Sequence, residues 1–456
     1  MSSFSAYLRR LTYAALTLAG IFGPATSHAV PLYARQTGLG CSACHFGGNF
    51  PELTKTGREF KLMGYTLGNR QTIPLAGMLQ LGMTRINDNS INSAQPSQAK
   101  NGDLVASQIS LFTGGKITDN IGAFVQWTSG YDVNQNGDQY VRHGGIDNTD
   151  IRFADKAKVG GKDLIYGVSL NNGPSVQDIF NTTPAWNVNP SAAPSGPFQG
   201  YGINTANGSV TPTLIDGGLA AQVYGIGAYA DYNDFFYAEL SGYQTADGIF
   251  SVFRAGQDTT ANRYTIRGAN PYWRLALHGD SGPHSWEVGT YGMVADVYSD
   301  QTTADSLTDR FKDYALDAQY QYAKGPHRAS VQGTWIHEDI SWNANTGNSN
   351  LSDTRETWRL RGNYMYRNKI GGSLGFFSNT GSADANLYGT PTGTPDTSGY
   401  ILEADYIPIQ QVKLALQYTG YNKFNGTSGV YTQNPDGSDR RPSANNTVYL
   451  LGWLMF

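Results

Sequence analysis

Cysteine is nearly absent from this chain of 456 residues, which has only two, at positions 41 and 44. That scarcity excludes a disulfide-stapled scaffold, where several bridges stand in for a core. Beyond the N-terminus there is also no apolar run long enough to cross a bilayer as a helix, so a helical membrane bundle is excluded. Neither sign of charge dominates, since 32 basic and 36 acidic residues leave a formal net charge of −4. Phosphate backbones are held by basic surfaces, and nucleic acid is therefore not an expected partner. No proline-rich or charged linker divides the chain, which points to one large architecture. What is abundant is glycine (55) and tyrosine (29), together with small polar residues, a composition that suits β structure with many turns.

The first residues read as an export signal. Arg9 and Arg10 precede an apolar stretch from Leu11 to Phe22, followed by Pro24 and the small-residue site Ser27-His28-Ala29. Cleavage after Ala29 would start the mature chain at Val30-Pro31. Export places the thiols outside the reducing cytoplasm.

Both cysteines belong to Cys41-Ser42-Ala43-Cys44-His45. Two thiols at this spacing add across the vinyl groups of a haem, and the following histidine then lies under the iron as its proximal ligand. A redox C-x-x-C pair is the first competitor, but no strand-helix-strand pattern surrounds it and the trailing histidine would have no task. A zinc site is the second, and it would need a fourth ligand from elsewhere. One covalent haem c, held by Cys41 and Cys44 with His45 on the iron, is the reading adopted.

The residues after the motif predict a short helix. Pro51 suits its first position, Glu52 its positive end and Gly64 its stop. Leu53, Phe60 and Met63 then share one face, a candidate haem wall, with the ordinary alternative that the stripe packs against whatever encloses it. Phe60 is a candidate for packing on the haem, and Met63 is the candidate distal ligand, since the histidines after residue 45 all fall in the following β region. Among those, His278 is the best placed to reach inward, by alternation with Arg274 and Ala276. A segment of about 45 residues cannot bury a core unaided, so it needs the haem or an enclosing wall.

From Leu75 onward, period-two alternation takes over. Residues 313 to 322 set Tyr314, Leu316, Ala318, Tyr320 and Tyr322 against Asp313, Asp317, Gln319 and Gln321. A soluble sandwich alternates too, but a transmembrane barrel puts the apolar set outward, aromatics at the strand ends and charges in the lumen. Short turns are expected at 118–120, 159–162, 231–234, 280–284, 324–327, 367–369 and 407–411. Between them lie long links near 86–101, 131–148, 173–216, 246–268, 299–310, 342–354, 381–397 and 424–444. Seven turns and eight links predict sixteen antiparallel strands, closed so that no edge is left in lipid. The last run, Asn446 to Phe456, alternates and ends in Phe, which resembles the assembly signal of outer-membrane proteins. The third link, 173–216, is the longest and resembles the inward-folded third loop of general porins.

Pro31 to Gly38, the haem motif, Phe50-Pro51-Glu52-Leu53-Thr54 and Gly57 to Tyr65 together resemble the fused monohaem cytochrome c-porins of the Gram-negative outer membrane. That group includes cytochromes that oxidise extracellular ferrous iron. The resemblance implies a signal peptide (1–29), a haem segment (30–74) and an outer-membrane barrel (75–456). It implies Fe(II) as donor, a periplasmic c-type cytochrome as acceptor and outer-membrane lipid around the wall. An outward or general electron conduit to external acceptors, and a solute channel with a haem-bearing plug, are the alternatives.

Overall fold

The computed structural model describes residues 31–48, 51–88, 90, 101–133, 140–186, 213–255, 264–299, 307–343 and 347–456. The expected signal peptide, 1–29, lies outside the described residues. Sixteen strands form one closed antiparallel barrel. In chain order they are β1 (Leu75–Ile86), β2 (Leu104–Lys116), β3 (Ile121–Val133), β4 (Tyr140–Val159), β5 (Lys162–Asn171), β6 (Val223–Tyr232), β7 (Phe236–Thr245) and β8 (Asn270–Ser281). They continue as β9 (His284–Tyr298), β10 (Thr308–Lys324), β11 (His327–Ser341), β12 (Ser352–Tyr366), β13 (Ile370–Gly381), β14 (Thr397–Ile409), β15 (Val412–Lys423) and β16 (Thr447–Met455). Neighbours in sequence are neighbours in the sheet, and β16 closes the cylinder on β1 through Met78↔Met455 to Ile86↔Thr447. The terminal Phe456 exchanges both backbone bonds with Gly77, at 2.7 and 2.9 Å.

Alternation sorts the wall as the pattern requires. On β10, Tyr314, Leu316, Ala318 and Tyr320 are exposed on the outer face, while Asp313, Asp317, Gln319 and Gln321 are buried within. The same split on β12 turns Trp358 and Leu360 outward and Arg361 and Asn363 inward. Near the short turns the outer face carries aromatic residues, and His284 and His327 meet the hydroxyls of Tyr320 and Tyr364 at 2.6 and 2.7 Å. Amphipathic rings of this kind settle at the boundary of the hydrocarbon layer. Among the described residues no helix is long and apolar enough to cross a membrane; the crossing is made by strands.

All seven short turns fall where expected. Three of them place consecutive residues in the left-handed region: Gly160 and Gly161 at φ 58° and 76°, Asn233 and Asp234 at 61° and 51°, Arg367 and Asn368 at 54° and 53°. That geometry matches the twist of a two-strand ribbon, and Asn and Asp tolerate it best after glycine. The link expected over 131–148 differs, because β3 runs on to Val133 and β4 starts at Tyr140, with Tyr131 opposite Arg142 and Val133 opposite Tyr140. Ladder bonds need no apolar side chain once the strands have left the lipid, so a polar hairpin can extend past the membrane.

The N-terminal segment lies at the short-turn end. It comprises α1 (Pro31–Thr37), α2 (Cys41–Cys44) and α3 (Lys55–Leu62). Here the expected helix start is corrected: Pro51 and Glu52 precede α3, whose cap is Thr54, with its hydroxyl accepting from Gly57 N at 3.2 Å. A bridge between His45 and Leu53, and the Phe46 N to Glu52 O bond of 2.9 Å, hold residues 52 and 53 extended. Past Leu62 the helix ends, with Gly64 and Tyr65 both at φ 62°.

Candidate functional site

The segment from 31 to 68 is tied to almost every quadrant of the short-turn mouth. Tyr33 donates to Ala123 O at 2.9 Å, and Gln36 bonds Tyr65 O at 2.7 Å and receives Lys116 N at 2.9 Å. Across the mouth, Arg58 pairs with Asp280 at 2.6 Å and Lys55 with Asp234. Buried Glu52 pairs with Arg361 at 2.9 Å and accepts from Asn363, while Gln321 donates to Leu53 O at 3.1 Å. Phe46 packs with Met365 and Ile407, and Cys41 lies against Gln410. A segment without a sufficient core is thus ordered by the barrel around it, a plug across one end.

Within the plug, α2 carries both thiols on one helical turn, and His45 follows at its extended C-cap. Both cysteines are free; Cys41 is 1% exposed and Cys44 half-buried. Burial pushes the Cys41 thiol up to about 11 and also raises that of Cys44. Neither is a ready thiolate, which disfavours a reactive redox pair. The donor set fits a c-type haem: two unbridged thiols three residues apart, an imidazole in the next position, and a half-buried face from Ser42 to His45. Cys41, Cys44 and His45 would hold the group, against the turn between β14 and β15. Helix α3 is pressed onto α2 at Gly57, where a Cβ would stand 2.2 Å from the Cys44 carbonyl oxygen.

Phe60 and Met63 sit further along α3. Phe60 is buried in an aromatic cluster, edge-on to Tyr33 at 5.0 Å and to Tyr65 at 5.8 Å, with Phe112 and Phe124 behind. Met63 caps the far end of α3, half-buried, nine residues after the Thr54 that bonds Cys44 O at 2.9 Å. Nine residues of helix rise about 13 Å. Cys41, Cys44 and His45 thus lie on one turn and its cap, and Phe60 and Met63 lie further along, on α3 and at its C-terminal cap. His278 does point inward, buried, with Nε2 at 2.6 Å from Asp231.

Above the plug the lumen is packed. The third link folds inward over its described part: Val176, Ile179 and Phe180 are buried, and Leu214 and Ile215 return beside Asp313. Its stretch 187–212 lies outside the described residues. Lys61 donates to Val176 O at 2.9 Å and Asn181 Oδ1 at 3.0 Å and sits 4.3 Å from the Trp186 ring centre. Burial, reinforced by the Arg152 guanidinium, pushes the Lys61 ammonium from 10.5 down to about 7. Deeper, fully buried Arg274 faces Asp178, Glu287 and Asp317 at 3.1, 3.1 and 2.9 Å. These partners were not legible one residue at a time: Arg274, Glu287 and Asp317 showed only as charges in the polar phase of a strand, and Asp178 as a charge within the third link.

No protein-family description matches the chain, and none of the curated proteins compared matches it. Several solved structures share its outline. A loop-deleted OmpT from the outer membrane of Vibrio cholerae is 10% identical over 84% of this chain and 98% of that one, at a TM-score of 0.43. An anion-selective porin from Comamonas acidovorans is 14% identical over 84% and 98%, at 0.44. The outer-membrane channel DcaP of Acinetobacter baumannii is 10% identical over 84% and 96%, at 0.41.

The closed sheet and its apolar outer face define the class: a sixteen-stranded β-barrel of the outer membrane. Its distinguishing part is the N-terminal segment folded into the short-turn mouth, with a thiol pair and a histidine on one turn.

Proposed function

We propose that this barrel is an outer-membrane electron-transfer cytochrome, taking electrons from extracellular Fe(II) and delivering them to a periplasmic c-type cytochrome. The observation that carries the reading is the pair of free thiols followed by His45, seated at the short-turn mouth beneath a lumen whose inward side chains are buried. A haem c held there supplies a one-electron carrier whose potential the axial ligands and burial tune. The chain's part is to fix that position, to keep water from the lumen and to leave Ser42 to His45 facing the mouth. Ferric product is poorly soluble near neutral pH, so a layout that keeps the metal outside and admits only the electron has a physical rationale. The packed lumen speaks against a wide solute channel, whose inward side chains would be washed by water.

The test uses outer-membrane vesicles carrying oxidised protein. Adding Fe(II) outside should produce the absorbance of reduced haem, and Cys41→Ala with Cys44→Ala should abolish it along with haem-linked peroxidase staining on a denaturing gel. Staining that survives the double substitution would overturn the haem assignment. Haem that stays oxidised under Fe(II) yet accepts electrons from a low-potential donor would overturn Fe(II) as donor.

A further inference from the structure

We propose that Asp231, Asp234 and His278 form a binding site for a divalent first-row transition-metal ion at the short-turn mouth, separate from the thiol pair and independent of whether haem is bound. Their ligand atoms, two carboxylate oxygens and one imidazole nitrogen, lie within 4.8 Å of one another. The three come from two places in the wall, the β6–β7 turn and the end of β8, and the ladder brings them together: His278 N bonds Phe235 O at 2.9 Å, directly beyond that turn. Two oxygens and one imidazole suit Mn(II), Fe(II), Co(II) or Zn(II), with water completing the shell.

Two further features point the same way. His278 is 1% exposed, which fixes its ring within the wall. Its Nε2 meets Asp231, itself 2% exposed. Coordination through Nε2 puts the ring proton on Nδ1, so the imidazole binds neutral, and the ion takes the place between Nε2 and Asp231 that their direct contact now fills. Charge then supplies the balance. Asp234 and Asp280 face Lys55 and Arg58, while Asp231 pairs with His278, so three carboxylates stand beside two cationic side chains. The exposed Lys55 ammonium now pairs with Asp234 but stands 3.7 Å from Asp280, so an arriving cation displaces it along a short path to a second carboxylate. Asp234 is exposed on the turn and provides the way in. Since Lys55 belongs to the plug and Asp234 to the wall, metal loading exchanges one plug-to-wall tie for a wall-to-wall clamp.

Zn(II) is the probe, titrated calorimetrically into the purified full-length protein in detergent, with X-ray absorption at the zinc edge reading the ligands. The expected result is one zinc per chain in a shell of one imidazole and otherwise oxygen. Asp234→Asn alters only a turn side chain and should weaken binding by roughly tenfold or more, as should His278→Gln. Lys55→Met removes the competing ammonium and should tighten it several-fold. Retained heat-modifiable mobility on a gel certifies a folded barrel for each variant. Zinc bound with unchanged affinity in both Asp234→Asn and His278→Gln, a sulfur-containing shell, or no zinc bound by the native chain would each overturn the site.

Discussion

Gly57 of α3 touches the carbonyl of Cys44, so closely that a methyl group on its α-carbon would stand 2.2 Å from the oxygen. That contact sets the spacing between the helix bearing the thiols and the helix that spans the plug. Gly57→Ala should force the two apart, at an overpacking cost of about 1–3 kcal/mol. Hydrogen exchange should show residues 41–62 opening faster while the strand amides keep their protection. Equal exchange in both proteins would mean the contact is not close-packed.

Glu52 fixes the opposite side of the plug. It is fully buried, and Arg361 sits 2.9 Å away on β12. Removing one partner of a buried pair strands the other, typically at about 3–5 kcal/mol. Glu52→Ala should therefore loosen the plug and give discrete conducting events in planar bilayers where the native protein stays closed. Adding Arg361→Met should restore the closed state. Conductance alike in all three would separate the pair from the seal.

Lys61 gives the plug a pH dependence. Its folded-state value, about 7, lies below its ordinary 10.5 because the charged form is buried. Between those values the unfolded chain binds more protons than the folded one, so stability rises with pH across the window, and below about pH 7 the cost of charging is fully present. Thermal unfolding in detergent should show a gain on the order of 2 kcal/mol between about pH 7 and about pH 9 that is missing in Lys61→Met. The same slope in both proteins would assign it to other groups.

On the haem reading proposed above, Met63 would be the sixth ligand of the iron. Met63→Ala should convert a low-spin ferric spectrum to high-spin and lower the midpoint potential, because a thioether opposite imidazole raises it. An unchanged spectrum would remove Met63 from the iron, and its place at the far cap of α3 makes this a sharp test.

The barrel was legible because lipid outside and polar lumen inside impose a strict period of two, visible in Tyr314 to Gln321 without any partner strand. Turn positions were legible for the same reason, since each interrupts that period. The hairpin at Tyr131 to Arg142 was not, because strands that leave the lipid lose the apolar phase yet keep their ladder. Nor was the start of α3: Pro51 and Glu52 carry helix-start chemistry, but the His45–Leu53 bridge and the Arg361 pair claim that stretch first. Contacts such as Arg274 with Asp178 and Asp317 join residues far apart in the chain, and a single sequence shows only that each is charged. The Cys41-Ser42-Ala43-Cys44-His45 run could be read directly because its chemistry lies within five consecutive positions.

The burial of Cys41 bears on the order of assembly. With 1% of its surface exposed, its sulfur against the Gln410 carbonyl and its helix wedged under α3, the thiol is out of reach of any modifying enzyme once the wall has closed around it. Haem attachment at that sulfur, as proposed above, would therefore come first, on a chain whose strands are still unpaired. The chaperones and insertion machinery downstream would receive a polypeptide already marked at its N-terminus, and the final strand, β16, would close the wall over a finished plug.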